Sequence, residues 1–130
     1  MGGYDSNGLA WRYILPPELL DIFSINLLEF IASAISIHLS LAASTNPQKI
    51  LAYTDSSSAL VWLYKASFSS SMPCHDKVAK WLALELMSCE SALYSQHIRG
   101  RHNIMADALS RDHHLSILQL TKIFYRLYPK

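Results

Sequence analysis

The sequence predicts an α/β domain, and three of its features support that fold class. An Asn7-Gly8 turn stands between two short apolar stretches, which is the pattern of a β-hairpin. Two further apolar strands, Lys49–Thr54 and residues 93–98, each follow a stretch with helical periodicity. Strands entered after a helical crossover pair in parallel, so these two are expected to lie side by side. The chain has 130 residues, 51% of them apolar, which suffices for one domain with a sizeable core.

The hairpin is predicted to span residues 2–15. Asn and Gly both tolerate the positive φ that a tight hairpin turn requires, and the returning strand reads LAWRYIL. Pro16-Pro17 ends this strand, because proline cannot donate a hydrogen bond to a ladder. Residues 18–23 are expected to form a loop.

A helix capped by Ser24 is predicted over residues 25–41. Its apolar face is assigned to residues at helical spacing, namely Ile25, Leu28, Ala32, Ile35 and Leu39. Glu29 falls along the same face, so it is expected to point inward, either as a buried structural partner or as a site carboxylate. The apolar run 22–43 is long enough to span a bilayer. A carboxylate at its centre costs about 2.5–3.5 kcal/mol on insertion, so a buried amphipathic helix is expected instead.

Asp55 directly follows the strand Lys49–Thr54, and a helix carrying Ala59, Leu60 and Leu63 is expected after it. Asp55 has two interpretations. It can cap that helix, as Ser56 also can, or it can belong to a site, because sites of α/β sheets gather at the C-terminal ends of strands.

The second half of the chain is predicted to contain two more amphipathic helices. The first covers residues 75–89, with one apolar face made of Val78, Leu82, Leu86 and Cys89. The second covers residues 115–128, with helical spacing at Leu118, Ile123 and Leu127.

Net charge, cysteine spacing and the first residues favour an intracellular protein without a disulfide framework. The net charge of +1 provides no global field that would commit the chain to nucleic acid. Cys74 and Cys89 fit no disulfide framework, so two reduced thiols in an intracellular protein are expected. A zinc site from these cysteines with His75 and His97 is the alternative, but its spacing is irregular. The polar, glycine-rich first residues predict no signal peptide.

Residues 97–111 read HIRGRHNIMADALSR and lead from a strand through a basic loop into a helix. Asn103 is the expected N-cap, and Ile104, Ala108 and Arg111 follow at helical spacing. Asp107 lies near the start of this helix, where the partial positive charge favours a carboxylate. The string resembles the HxxGxxNxxADxLSR signature that ends the ribonuclease H domain of retrotransposon reverse transcriptases.

Other strings extend this resemblance over nearly the whole chain. INLLEFIASAI is similar to the family's IN-x-LE-LxA helix, and YTDSSSALVWLYK is similar to its TDN-x-x-AL-x-W segment, with Ser56 in place of the usual Asn. The tail SRDHHLSILQLTKIFYRLYP resembles that of DIRS-like elements, with gypsy-like elements as the other subgroup. The resemblance implies a ribonuclease H-like domain at residues 1–112 and a C-terminal helical extension or connection at 113–130.

The family's fold is a three-layer α/β/α arrangement around a mixed sheet, and its activity is metal-dependent cleavage of RNA in RNA–DNA hybrids. Two Mg²⁺ ions about 3.5–4 Å apart can activate water and stabilise the leaving oxygen, and carboxylates suit Mg²⁺ as ligands. The resemblance implies Mg²⁺ ligands at Glu29, Asp55 and Asp107. It also implies that His97 is a histidine that assists turnover, relaying a proton near the leaving group.

The basic loop is the expected nucleic-acid contact. Arg99 and Arg101 flank Gly100 and can hold phosphates, and Asn103 follows them. The other interpretation of the two arginines is that they are solvated loop charges.

The family's first strand, with its Asp-Ala-Ser string, has no counterpart before the hairpin. The start at Met1-Gly2-Gly3-Tyr4 resembles the glycine-rich second strand instead. The sheet is therefore expected to lack its first, central strand (order 3-2-1-4-5), together with one catalytic Asp. That role is not transferred to Asp5, and the fragment is expected to be inactive.

The expected partners are an RNA–DNA hybrid and the reverse-transcriptase domain of a parent polyprotein. The expected location is intracellular, in the cytoplasm or the nucleus, with no membrane partner. Two alternatives remain open. One is a catalytically dead module of the same fold that binds nucleic acid or protein. The other is a small α-rich structural protein whose carboxylates are caps and ion-pair partners.

Overall fold

A computed structural model describes residues 1–56, 59, 73–99, 102–112 and 114–127. Over these residues the chain is a mixed α/β protein, as predicted, and its strands and helices follow one another in this order: β1 (Gly2–Tyr4), β2 (Ala10–Arg12), α1 (Pro17–Ile22), α2 (Ile25–Ala42), β3 (Lys49–Thr54), α3 (Pro73–Ser88), β4 (Ala92–His97), α4 (Ile104–Arg111) and α5 (Ile117–Leu127). Apart from Ala59, the helix predicted after Asp55 lies outside the described residues.

The hairpin prediction is confirmed, although its strands are shorter than expected. β1 and β2 pair antiparallel with Gly3 opposite Trp11. The connecting loop closes with a hydrogen bond of 2.8 Å from the N–H of Asp5 to the carbonyl of Leu9. Only Gly8 of the loop adopts a positive φ, at 91°. The loop is therefore wider than a two-residue turn, and glycine is needed at one of its positions.

The two apolar strands pair in parallel, as predicted from the helical crossover between them. The register runs from Lys49 opposite Ala92 to Thr54 opposite His97. β4 begins and ends one residue earlier than the predicted strand 93–98. The C-terminal ends of both strands therefore meet at one edge.

Helix α2 begins where the sequence predicts, but it buries a different face. Ser24 caps it by accepting a hydrogen bond of 3.3 Å from the N–H of Leu27. Ile25, which was assigned to the apolar face, is 66% exposed. The buried set is Leu27, Leu28, Phe30, Ala34, Ile37 and Leu41. Because this helix is apolar nearly all round, several sets of residues at helical spacing could form its buried face. The elements that pack on the helix determine which set is buried.

The larger core cluster lies between α2, α3 and the inner face of the β3–β4 pair. Its buried members outside α2 are Ala59, Ala79 and Leu82, and Ile50, Ala52 and Leu93 pack against it. The face predicted for α3 is confirmed, because Val78, Leu86 and Cys89 also contact this cluster.

A second cluster joins α4 and α5. It contains Met105, Ala108, Leu109 and Leu120, and Tyr4 of β1 packs against it. The faces expected for these two helices were partly wrong, because Ile104 is 51% and Leu118 is 66% exposed. The short helix α1 stands where a loop was predicted. Pro17 occupies one of its first two positions, where the fixed φ of proline favours a helical start.

Strand β1 lies between two helices, and its two glycines allow the close approach. A Cβ on Gly2 would lie 2.6 Å from Cβ of Leu109, and one on Gly3 would collide with Oγ of Ser36. Successive strand residues point to opposite faces. Helices α4 and α2 therefore lie on opposite faces of β1. The backbone of α4 leaves no room for a side chain at Gly2, and the Ser36 hydroxyl of α2 occupies the space beside Gly3.

The described strands form two separate two-stranded sheets, β1–β2 and β3–β4. Helix α2 contacts a strand of each, namely β1 and β3. Among the described helices, α2 is the one that length and apolar composition would allow to cross a membrane, and a third of that window is buried within the fold.

Candidate functional site

Asp55 and His97 stand at the same edge of the parallel pair. Thr54 and His97 are register partners at the ends of β3 and β4, and the ladder continues with a hydrogen bond of 2.9 Å from the N–H of Ile98 to the carbonyl of Thr54. Asp55 is half-buried and His97 is exposed. The ends of two strands that are about forty residues apart in the chain therefore lie side by side, with Asp55 and His97 at the same edge.

Ser56, rather than Asp55, acts as the cap of the turn after β3. The N–H of Ala59 donates to Oγ of Ser56 at 3.1 Å, and the N–H of Ser56 donates to Oγ1 of Thr54 at 3.1 Å. Within the described part of the chain, the Asp55 carboxylate has no hydrogen bond or ion pair. The capping interpretation of Asp55 is therefore wrong, and its carboxylate is available for a ligand.

Glu29 belongs to the stripe of α2 that faces the hairpin. At helical spacing after it come Ser36, whose Oγ accepts a hydrogen bond of 2.9 Å from Nε1 of Trp11, and Ser40, whose Oγ donates to Asp5 at 3.1 Å. Glu29 is half-buried, and its carboxylate makes no hydrogen bond or ion pair with the described residues. The face that Glu29 was expected to share with Ile25 and Ala32 is not the most buried face of α2. Leu28 and Phe30, on either side of Glu29, are the buried residues, and Ile25 is exposed.

Asp107 lies in the first turn of α4. Its Oδ1 is 3.9 Å from Nε of Arg111, and the two side chains are 42% and 77% exposed. An ion pair this long and this exposed contributes little to stability. Because α4 and α2 lie on opposite faces of β1, Asp107 and Glu29 come from opposite layers.

The structure does not gather the three predicted Mg²⁺ ligands into one cluster. Among the described residues, no group of three or more His, Cys, Asp or Glu side chains stands close enough to hold a metal ion. The same finding applies to the zinc site considered for Cys74, His75, Cys89 and His97. These residues as they stand do not fit a complete Mg²⁺ site, and the Mg²⁺ itself stays a prediction.

The predicted nucleic-acid contacts are only partly described. Arg99 is exposed just beyond β4, and the N–H of His102 donates to its carbonyl at 2.8 Å. Asn103 occupies the N-cap position of α4 as predicted, but its side chain makes no capping hydrogen bond. Its amide is therefore not committed to the helix. Arg101 and Gly100 lie outside the described residues.

Two polar interactions were not anticipated. Nδ1 of His38 on α2 contacts Oε1 of Glu85 on α3, and the imidazole lies 5.3 Å from the ring of Trp81. Asp5 organises the hairpin loop, because its Oδ1 accepts from the N–H groups of Asn7 and Leu9 at 2.9 and 3.0 Å. An Asp two residues before Asn-Gly is a recognisable signal for such a turn.

Replacing Asp5 is expected to destabilise the protein through the hairpin loop. Asp5→Ala removes the acceptor of two backbone N–H groups and of Ser40. We expect a loss of about 1–3 kcal/mol in the free energy of unfolding, measured by urea denaturation. Asp21→Ala is the matched control, because Asp21 is an exposed carboxylate on α1 that makes no hydrogen bond or ion pair with another described residue. Equal stability of the two variants would contradict the structural role of Asp5.

In comparisons with known proteins, no protein-family model, no curated protein and no solved structure matches the chain.

Proposed function

We propose that this chain is a ribonuclease H-like module of a retroelement reverse transcriptase that engages RNA–DNA hybrids at the C-terminal edge of β3 and β4. The observation that carries the proposal is the parallel register of Thr54 with His97. It joins the segment YTDSSSALVWLYK to the segment HIRGRHNIMADALSR, which are the two strings of the chain that most resemble the family.

The chemistry of this edge suits a phosphodiester backbone. Arg99 is an exposed guanidinium directly after the strand, and arginine contacts phosphate oxygens through a planar pair of donors. The exposed imidazole of His97 offers a ring nitrogen that can donate or accept a hydrogen bond at this edge. The side-chain amide of Asn103, which makes no capping hydrogen bond, adds a donor and an acceptor at the start of α4.

The half-buried carboxylates without partners support a site rather than a structural role. A buried charge without a partner costs stability, and such costs are typical of functional residues. Glu29 and Asp55 have no partner among the described residues, whereas Asp5 is engaged through both of its oxygens. Of the three carboxylates, the structural-protein alternative fits Asp107, which pairs with Arg111, but not Glu29 or Asp55 as they stand among the described residues.

The separation of the two sheets is also in keeping with the proposal. In the family, the first strand lies between the strands that resemble β1 and β3. Here no backbone ladder joins the hairpin to the parallel pair along the described residues, and α2 contacts both sheets. We propose that a first strand with an Asp-Ala-Ser string would pair there and bring a further carboxylate to the same edge.

A catalytically dead binding module of the same fold is the second candidate. The observation that favours it is the lack of a three-ligand metal group among the described residues. Both candidates bind a hybrid, and they differ in whether an added first strand confers cleavage.

Hybrid binding is the test that both candidates share. We expect a fluorescein-labelled RNA–DNA hybrid of about 18 base pairs to bind the chain, measured by anisotropy at several salt concentrations. Arg99→Ala and Arg101→Ala should each weaken binding and lower the salt slope by about one unit, because each arginine removes roughly one phosphate contact. Arg126→Ala is the matched control, since Arg126 is an exposed arginine on α5.

The proposal fails if the hybrid does not bind, or if all three arginine variants behave alike. Loss of binding in Arg126→Ala together with the other two would indicate general electrostatic attraction instead of a site at the loop after β4.

A further inference from the structure

One face of the β3–β4 pair is open to solvent. Leu51 and Tyr53 on β3 are 48% and 56% exposed, and Tyr94 on β4 is 58% exposed. The alternate residues of both strands point the other way and pack on the larger core cluster: Ile50, Ala52 and Leu93. Parallel strands are normally covered on both faces. A bare face that carries two tyrosines is therefore a candidate surface for a ligand.

The register places Tyr53 and Tyr94 at diagonal positions on the same face. Tyr53 is paired with Gln96, and Leu51 is paired with Tyr94, so the tyrosines are diagonal neighbours on adjacent strands. Strand spacing and rise put their Cα atoms about 8 Å apart. Both rings therefore stand on one surface, and more than half of each residue is open to solvent.

The polar residues around the tyrosines suit nucleic acid. Lys49 is exposed on the same side of β3, two residues before Leu51, and Gln96 is an exposed amide on β4. Neither strand contains an acidic residue. Asp55 follows Tyr53 by two residues, at the opposite end of β3 from Lys49, and Glu90 precedes β4. An ammonium and an amide beside two aromatic rings can contact a phosphate and a base edge while bases stack on the rings.

We propose that the open face of β3–β4 binds single-stranded nucleic acid, with two bases stacked on Tyr53 and Tyr94 and a phosphate held by Lys49. Stacking on a side chain needs an unpaired base, whereas the bases of a hybrid remain paired. This surface therefore takes a different ligand from the loop after β4, and it does not depend on the residues assigned to hybrid binding.

The test measures anisotropy of fluorescein-labelled single strands of about 12 nucleotides, oligo-dT and oligo-U. We expect the unmodified chain to bind, and Tyr53→Ala or Tyr94→Ala to weaken binding about tenfold or more. Lys49→Ala should lower the salt slope by about 0.7. Tyr125→Ala is the matched control, because this tyrosine on α5 is 52% exposed and lies far from β3 in sequence.

A second pair of variants separates base stacking from apolar docking. Tyr53→Phe keeps an aromatic ring and should keep the affinity, whereas Tyr53→Leu keeps a large apolar side chain and should lose as much as alanine does. Both substitutions preserve volume well enough for the fold to be checked by circular dichroism. Equal affinity of the Leu and Phe variants would overturn the proposal.

Two other results would also overturn it. One is the absence of single-strand binding by the unmodified chain. The other concerns the protein without nucleic acid. If replacing the tyrosines changed its oligomeric state in sedimentation, this face would be an interface between copies. Single-strand binding without hybrid binding would leave this inference standing and would refute the proposed function.

Discussion

The chain alone is expected to leave the RNA of an RNA–DNA hybrid intact in the presence of Mg²⁺. Two physical reasons lead to this result. The described residues offer no group of three carboxylate, imidazole or thiolate side chains for a metal ion, and catalysis by groups that act as a unit collapses when one is missing. The two described sheets also leave strand edges that no other described strand pairs with, which weakens the scaffold that would hold a site in place.

The experiment compares the chain with a version extended at its N-terminus by a strand carrying an Asp-Ala-Ser string. Cleavage is followed with an RNA–DNA hybrid labelled on its RNA strand. We expect product only from the extended version, and we expect Asp107→Asn to abolish it there. The rate difference should be at least about a hundredfold, which is the usual scale for removing one member of a catalytic set.

Strong Mg²⁺-dependent cleavage by the unextended chain would contradict this expectation. Asp5 is then the carboxylate to reconsider, although its oxygens accept from Asn7, Leu9 and Ser40. A variant that separates its two roles is Asp5→Asn. An amide keeps an oxygen acceptor for the backbone N–H groups, so stability should be largely retained while any metal-ligating charge is lost.

Phe30→Ala is expected to cause the largest loss of stability of any single substitution in α2. Phe30 is 1% exposed and belongs to the larger core cluster. Truncating a buried phenylalanine removes its burial energy and leaves a cavity, which costs about 3–5 kcal/mol. Domains are typically stable by roughly 5–15 kcal/mol, so this loss is a large fraction of the total and should lower the urea midpoint markedly. Urea denaturation followed by circular dichroism measures the effect.

The neighbouring residue provides the matched control. Glu29→Gln removes a half-buried charge that has no partner among the described residues, so stability should change by less than about 0.5 kcal/mol or increase. A loss from Glu29→Gln comparable to that from Phe30→Ala would show that this carboxylate is structural. It would also remove Glu29 from the candidate site.

Local signals in the sequence were sufficient for the types of the described elements other than α1, and for the parallel pairing. Ser24 and Asn103 mark the starts of α2 and α4, because capping preferences act within one turn of chain. The crossover between β3 and β4 determines their relative direction. These features depend on residues that are close in sequence or on general handedness.

The buried face of α3 was predictable, whereas those of α2, α4 and α5 were not or only in part. Helix α2 is apolar nearly all round, and the choice of Phe30 and Ile37 over Ile25 depends on α3 and the sheets that pack on it. The short helix α1 was missed because Pro16-Pro17 was taken as the end of a strand, whereas Pro17 also starts a helix.

The candidate site was predictable in parts. Asp55 was expected at the C-terminal end of its strand, where sites of α/β sheets gather, and the parallel register places the end of β4, with His97, beside it. Ser56 takes the capping hydrogen bond, and Asp55 has none among the described residues. This choice depends on side-chain geometry, which the string Asp-Ser-Ser-Ser does not specify. The His38–Glu85 contact joins residues 47 positions apart, for which the sequence carries no local signal.

The parallel pairing of β3 and β4 has a consequence for the order of folding. The hairpin closes a loop of only a few residues and can form within about 1–10 μs. The pairing of β3 with β4 must instead bring together segments whose first contact, Gln48 with Ser91, spans 43 positions. Long loops carry a larger closure entropy, and non-local pairings form late. The hairpin is therefore expected to acquire amide protection from hydrogen exchange before β3 does, and β3 is the strand most exposed to self-association while the protein folds.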